Sequence, residues 1–237
     1  MIRRLRRLAQ FSRLFPRLRS RLEYPDCDKY VNETYWQQRG RKYLEEFAEH
    51  GEGTKVAFAK QESVFLDVVK TLEFKSVLEL GCGFGRMLKL LDDNFRLHQI
   101  WGIDVSEHQL GNATRLLNLA DKSYIFLQQG NISELDWIPE HSFDLAYTSE
   151  VLMHVSDPEG ILRSMQRITR KYILILEWQD LTLPFGVSLV APWCFNHNYR
   201  QLCEKVGLVI LDAKSVVEKQ IMIVAQATSR NNGSPLT

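Results

Sequence analysis

The chain has little of several features that mark common protein classes. Its 237 residues include four cysteines, which form no C-x-x-C pair and have no histidine at metal-ligand spacing: Cys27, Cys82, Cys194 and Cys203. A disulfide framework or a metal site is therefore not expected. No apolar run approaches the about 18 residues that span a bilayer, and the N-terminus lacks the apolar core of a secretory signal. We therefore expect a globular cytoplasmic protein with reduced thiols.

Positive charge is also scarce outside the first residues. The net charge is +1, so no sequence-specific nucleic acid partner is expected. Residues 1–22 contain eight arginines and no acidic residue, whereas the rest of the chain contains 22 basic and 29 acidic residues. Apolar residues at helical spacing predict a basic amphipathic arm over 1–25. Such an arm can lie on a membrane of anionic lipid, act as a transit peptide or be a solvated tail. The polar residues 229–237 are predicted to be disordered.

The hydrophobic pattern predicts an α/β protein. Strands are predicted at 76–80, 99–104, 123–128, 143–148 and 171–177, with helices between them at 85–93, 107–120 and 158–169. Two further apolar runs, 208–216 and 220–227, are joined too closely for any but an antiparallel pairing. The fold class is therefore a Rossmann-like seven-stranded mixed sheet whose last strand is antiparallel, with helices on both faces. Additional helices are predicted N-terminal to the sheet at 26–50 and 55–73, and one near its end at 199–206.

The strongest local signal is the sequence VLELGCGFG at 77–85. A buried strand leads directly into Gly81, Gly83 and Gly85, which let the backbone turn sharply and let a ligand lie against the main chain. The helix that follows offers free N–H groups and a positive dipole end. The spacing differs from the G-x-G-x-x-G of pyrophosphate-binding folds, and no Lys-Ser/Thr follows, which excludes a P-loop.

Asp104 provides the second signal, because it ends the second predicted strand. An acid at that strand end can accept hydrogen bonds from both hydroxyl groups of a ribose. The glycine-rich turn and this acid together predict a site for a cofactor that contains adenosine.

The segment 77–85 resembles the first motif of the class I S-adenosylmethionine-dependent methyltransferases. The resemblance continues through GIDVS at 102–106, QGNI at 129–132, FDLAY at 143–147 and the closing antiparallel pair, and it spans roughly residues 60–227. It implies that S-adenosyl-L-methionine is the cofactor and S-adenosyl-L-homocysteine the product. It also implies a methyltransferase domain over 26–228, with a cofactor-binding core at about 74–180.

The resemblance implies roles for individual residues at the cofactor. Glu79 would bind the amino group of the methionine part, and Asp104 would bind the ribose hydroxyls. Asn131 stands where the family usually has an acid for the adenine amino group, and its side-chain oxygen can accept from that group. Val105 and Ile132 would flank the adenine ring. The other expected cofactor-binding residues are Gly81, Cys82, Gly83, Gly85 and Ser149.

The segment after the fourth strand bears on the methyl acceptor. Members that methylate base nitrogens or glutamine amides usually carry an Asn/Asp-Pro-Pro-aromatic segment there, whereas this chain reads TSEVLMHV at 148–155. That sequence resembles the small-molecule (type 11/12-like) branch, so we expect as acceptor a hydroxyl group of a sugar, glycolipid or other metabolite. A protein or RNA methyltransferase that uses the arm, and a non-catalytic scaffold, stay as alternatives. The irregular, aromatic segment 178–198 is predicted to cover the acceptor.

A hydroxyl acceptor benefits from a general base, and four residues are candidates. Glu150 and His154 are four residues apart and share a face if that segment is helical. Glu177 ends the fifth predicted strand, at the edge where open α/β sheets bind ligands. His197 lies just before the last predicted helix. Each of the four also has a structural interpretation, as a core histidine or a surface acid.

Overall fold

The computed structural model describes residues 32–185 and 194–227. The seven strands are β1 (Ser76–Leu80), β2 (Gln99–Asp104), β3 (Ile125–Gln129), β4 (Phe143–Ser149), β5 (Thr169–Trp178), β6 (Val209–Ser215) and β7 (Gln220–Gln226). The α-helices are α1 (Asn32–Ala48), α2 (Glu52–Val69), α3 (Arg86–Asn94), α4 (Glu107–Leu117), α5 (Pro158–Ile168) and α6 (Tyr199–Lys205). Short 3₁₀ turns cover Leu119–Asp121 and Leu152–His154.

The strands form one sheet in the order β3-β2-β1-β4-β5-β7-β6. The first five strands are parallel to one another, whereas β7 runs antiparallel to both β5 and β6. In this register Gln220, the first residue of β7, lies opposite Trp178, the last residue of β5. The predicted mixed sheet with an antiparallel final strand is confirmed.

Both faces of the sheet are covered by helices. Val77 packs with side chains of α2, α3 and α4 on one face, whereas Leu78 and Leu80 pack with α5 and α6 on the other. All five residues of β1 are buried. A strand buried on both sides must be apolar almost throughout, because neither face meets water. Glu79, the charged residue of β1, is an exception to this pattern.

The element bounds differ from the predicted ones by a few residues. Strand β3 begins at Ile125 rather than 123, and β5 begins at Thr169 rather than 171. Helix α2 begins at Glu52 rather than 55, directly after α1 ends at Ala48. The predicted arm over 1–25 and the tail over 229–237 lie outside the described residues.

Helix α1 packs on α4, across the edge of the sheet where the parallel strands end. Its contact point is Gly40, where an added Cβ would lie 2.1 Å from Ser106 Oγ and 3.2 Å from Gln109 Cγ. A residue without a side chain is therefore needed for this close approach. The contact places the aromatic and acidic side chains of α1 above the loops that follow β1, β2 and β3.

Three further findings concern the described residues only. Cys82, Cys194 and Cys203 are buried and free. In residues 32–185 and 194–227, no helix is long and apolar enough to cross a membrane. The same part of the chain holds no group of three or more His, Cys, Asp or Glu side chains placed to bind a metal ion.

Candidate active site

The glycine-rich turn between β1 and α3 adopts a backbone that other residues rarely adopt. Gly81, Gly83 and Gly85 have φ angles of 73°, 52° and 84°. The turn is held to β2, because the backbone N–H groups of Gly81 and Cys82 both donate to the carbonyl oxygen of Ile103, at 2.7 and 3.0 Å. The left-handed conformations and the bonds to β2 open a concave stretch of backbone at the strand edge.

Asp104 ties this turn to the next loop. Its carboxylate accepts hydrogen bonds from the backbone N–H groups of Gly83 at 2.8 Å and Ser106 at 2.9 Å. Burial raises the pKa of Asp104, and these two N–H groups oppose the rise. A carboxylate has about four lone-pair sites, so two remain to accept from the two hydroxyl groups of a ribose. The geometry fits the role that the resemblance implies.

Glu79 is a buried acid at the centre of the sheet. It is 2% exposed, and the Tyr147 hydroxyl donates to its Oε2 at 2.9 Å. Burial raises the pKa of Glu79 to about 8, whereas the Tyr147 hydrogen bond and the Arg86 charge act in the opposite direction. Because these two interactions offset the effect of burial only in part, the carboxyl group is suited to meet a cation.

The turn, Asp104 and Glu79 line one cavity of about 570 Å³. This volume lies within the roughly 300–1,000 Å³ of small-molecule sites. Nine of the ten predicted cofactor residues line it: Glu79, Gly81, Cys82, Gly83, Asp104, Val105, Asn131, Ile132 and Ser149. Gly85 instead caps α3, and a Cβ there would lie 3.0 Å from Ala113 Cβ.

These donor types match the parts of S-adenosylmethionine. Two carboxylates suit its ammonium group and its ribose, and the apolar side chains of Val105 and Ile132 suit the faces of its adenine. Ser149 Oγ is buried and has no hydrogen-bond partner among the described residues, so a polar ligand can satisfy it. The residues present therefore fit the cofactor.

The other part of the cavity wall is aromatic. It is formed by side chains from α1, α2, the glycine-rich turn, the end of β5 and the segment before α6: Trp36, Tyr43, Phe47, Phe58, Phe84, Trp178 and Phe195. The Trp36 ring meets the His154 ring edge to face, with centroids 4.6 Å apart. Trp178 and Phe195 belong to the segment predicted to cover the acceptor, of which 186–193 lie outside the described residues.

Glu150 lines the cavity beside these aromatic rings. Its φ is 57°, a conformation uncommon for a residue with a side chain, and its backbone N–H donates to the Leu176 carbonyl at 2.8 Å. The carboxamide of Gln220 donates to its carboxylate. Burial raises the pKa of Glu150, against the opposing effects of Arg86, Gln220 and His50. The strained turn and the Gln220 bond hold this carboxylate in the cavity.

Glu177 and His197 do not line the cavity. The Glu177 carboxylate accepts from the backbone N–H groups of Val151 at 3.1 Å and Met153 at 3.2 Å, and burial raises its pKa to about 7. His197 donates through Nε2 to the Val155 carbonyl at 2.9 Å, and burial lowers its pKa. Both side chains therefore shape the backbone that carries Glu150 and His154.

Comparison with known proteins identifies the family. A family model described as a methyltransferase domain matches residues 78–174. A ubiquinone biosynthesis O-methyltransferase of Neisseria meningitidis serogroup A is 30% identical over 163 residues, which cover 60% of this chain and 67% of that protein. The chain belongs to the class I S-adenosylmethionine-dependent methyltransferases. Its cofactor is accordingly S-adenosylmethionine.

Other relatives of this methyltransferase are more distant. A sterol 24-C-methyltransferase of Aspergillus fumigatus is 26% identical over 154 residues, which cover 63% of this chain but 36% of that protein. The chain thus spans about a third of that relative. A magnesium protoporphyrin IX methyltransferase from Synechocystis, solved with S-adenosylhomocysteine bound, superposes with a TM-score of 0.65. The superposition covers 85% of this chain and 100% of that one at 16% identity, and it shows a shared fold.

Sequence reasoning missed the cavity residues that come from outside the family motifs. Glu33 and Trp36 reach the cavity from α1, and Gln109 reaches it from the first turn of α4. Arg86 follows the last glycine of the turn and pairs with Glu62 at 2.7 Å. The aromatic and acidic content of 33–43 was visible in the sequence, but the docking of α1 at Gly40 decides which side chains enter the site.

Proposed function

We propose that this enzyme methylates a hydroxyl group of a small molecule, such as a sugar, a glycolipid or another metabolite. The observation that carries the proposal is the continuity of one cavity. Its wall contains the cofactor residues around Asp104, and it also contains Glu150, His154 and seven aromatic side chains. A single cavity of about 570 Å³ suits a small acceptor beside the cofactor.

The aromatic wall favours an acceptor that contains a ring or another apolar group, because such side chains bind faces of rings and exclude water. Two relatives support this choice. One is an O-methyltransferase of ubiquinone biosynthesis, and another methylates sterols at carbon.

Methyl transfer depends mainly on the alignment of the methyl donor with the acceptor atom. The bound cofactor supplies a methyl group already activated by its positive sulfonium centre. The protein then has to hold the acceptor oxygen in line with that methyl group and accept the proton of the acceptor hydroxyl. Of the four candidate bases, Glu150 and His154 line the cavity, so we propose that one of them receives the proton.

Glu150 is the stronger candidate. Burial raises its pKa toward the working pH, which makes the carboxylate a better proton acceptor. The left-handed backbone and the bond from Gln220 hold it against the cavity at a cost in local strain, which is a common property of functional positions. Glu177 and His197 are proposed to act as positioning residues, through their bonds to Val151, Met153 and Val155.

The test is methyl transfer from isotope-labelled S-adenosylmethionine to a panel of sugars, glycolipids, quinols, phenols, RNA and protein. We expect labelling of hydroxyl-bearing small molecules. For the acceptor found, Glu150→Gln should lower kcat by about 100-fold, the size of a general-base contribution, while the Kd for S-adenosylhomocysteine stays unchanged. Glu134→Gln, at an exposed acid, is the control. Labelling confined to RNA or protein would refute the small-molecule proposal, and an unchanged kcat would refute the role of Glu150.

We further propose, from sequence alone, that residues 1–22 contact anionic membrane surfaces and bring the enzyme to a membrane-linked acceptor. Eight arginines and no acid in this segment support the proposal. Co-sedimentation with vesicles of anionic phospholipid should fall when residues 1–22 are deleted and in high salt. Co-sedimentation that the deletion leaves unchanged would exclude the arm as the membrane contact.

A further inference from the structure

The side chain of Asn131 has a fixed orientation. Its Oδ1 accepts a hydrogen bond from the backbone N–H of Ser133 at 2.9 Å, which forms a turn closed by the side chain. An N–H group requires an oxygen as its partner, so the amide oxygen must lie on that side. The Nδ2 group then lies on the other side and donates to Glu33 Oε2 at 3.3 Å. Both Asn131 and Glu33 line the cavity.

This orientation gives Asn131 the wrong polarity for an adenine amino group. That group is a hydrogen-bond donor, and the amide nitrogen of Asn131 is a donor as well. The acceptor at this place in the cavity is the carboxylate of Glu33. Each carboxylate oxygen has two lone pairs, so Oε2 can accept from Asn131 and from a second donor at once.

Helix α1 holds Glu33 in position. Gln37, one turn later, donates through Nε2 to Glu33 Oε1 at 3.2 Å. Two turns along, Gly40 packs against Ser106, in the loop that follows Asp104. Val105 and Ile132, the apolar side chains suited to the adenine faces, line the same cavity. The carboxylate thus lies beside the adenine end of the cofactor site, although it comes from an element 98 residues away from Asn131 in sequence.

We propose that Glu33 accepts a hydrogen bond from the exocyclic amino group of the cofactor adenine, and that it thereby supplies the acid that position 131 lacks. The proposal concerns the cofactor, so it holds whichever acceptor the enzyme methylates. It also makes α1 part of the cofactor site. Gln109 is the competing acceptor, since it lines the same cavity and its buried Oε1 has no partner in the part of the chain that the structure describes.

The test is calorimetric titration of the full-length chain with S-adenosylhomocysteine and with its hypoxanthine analogue, in which a carbonyl oxygen replaces the amino group. We expect the wild-type protein to prefer the adenine compound by about tenfold or more, the value of one hydrogen bond to a charged acceptor. Glu33→Ala should weaken adenine binding by about tenfold and remove the preference. Glu45→Ala, at an exposed acid of the same helix, should change neither value.

A rescue variant separates the hydrogen bond from damage to the helix. Asn131→Asp should restore adenine preference in the Glu33→Ala background, where the new carboxylate replaces the lost one. In the wild-type background the same substitution should weaken binding, because two carboxylates then face each other across a contact that is now 3.3 Å long. Retention of the full preference by Glu33→Ala would overturn the proposal. Loss of the preference in Gln109→Leu would then identify Gln109 as the acceptor. Absence of binding to the wild-type protein would instead overturn the cofactor assignment.

Discussion

Binding of the cofactor should release a proton from Glu79. Burial raises the pKa of this carboxyl group to about 8, so about 0.9 of the molecules carry the proton at pH 7. The amino group of the cofactor is a cation, and a nearby cation favours the ionised carboxylate. We therefore expect the pKa of Glu79 to fall when S-adenosylhomocysteine binds, with release of up to about 0.9 proton at pH 7.

The same linkage predicts how affinity depends on pH. If only the ionised form of Glu79 binds, the Kd for S-adenosylhomocysteine falls by about 50-fold between pH 6 and pH 8, and little more above pH 8. Binding by the protonated form as well would reduce this factor. The proton release should decline in parallel, from nearly one at pH 6 to about one half at pH 8.

Calorimetry in buffers with different ionisation enthalpies measures both quantities. Glu79→Gln keeps the shape of the side chain and an oxygen for the Tyr147 hydroxyl, but it cannot titrate. The variant should bind more weakly at pH 8 and show a flat dependence on pH. If the variant released as many protons as the wild-type protein, another group would be titrating and the reasoning on Glu79 would be wrong.

Three further predictions concern stability and docking. Without ligand, Glu79→Gln should be more stable than the wild type at pH 8 and about equal at pH 5. Folding raises the pKa of this carboxyl group from 4.5 to about 8, so the wild-type protein loses stability as the pH rises across that range. Denaturant titrations at the two pH values measure this. Gly81→Ala should lower the free energy of unfolding by about 1–3 kcal/mol, because φ is 73° and the new Cβ would lie 2.5 Å from Val151. Gly40→Ala should displace α1 and weaken S-adenosylhomocysteine binding. Gly51→Ala, whose Cβ would have no atom of residues 32–185 or 194–227 within 4 Å, should not.

Each of these has a clear contrary outcome. Equal stability of Glu79→Gln and the wild type at pH 8 would show that the carboxyl group bears no burial penalty. An unchanged unfolding midpoint for Gly81→Ala would mean that the Val151 side chain moves aside without a cost in stability. Normal binding by Gly40→Ala would show that the position of α1 does not affect the cofactor site.

The sequence predicted the sheet well because its strands are buried on both faces. Apolar runs such as 76–80 and 143–148 have few alternatives to central strands, and the short link before Gln220 allowed only an antiparallel pair. The turn at Gly81 and the acid at Asp104 were predictable for a related reason. Both follow strand ends, and the local backbone fixes their position.

Side chains that reach the site through tertiary packing were not predictable in this way. The helical pattern of 26–50 indicated which residues share a face, but it did not show that Gly40 packs on Ser106 and brings Glu33 beside Asn131. Likewise, Glu177 lies at the expected strand end. Its carboxylate nevertheless turns to the N–H groups of Val151 and Met153, a local choice that no periodicity in the sequence records.

The reversed direction of β7 determines which part of the chain lies beside Glu150. In a parallel sheet the chain reaches the ligand-binding edge only as it leaves a strand, whereas β7 begins at that edge and then crosses away from it. Gln220, the first residue of β7, therefore lies next to Glu150, although the two residues are 70 positions apart in the sequence. The C-terminal hairpin thus supplies a hydrogen bond to a side chain of the cavity wall, in addition to closing the sheet. A chain shortened before this strand would lose the carboxylate's partner together with the strand.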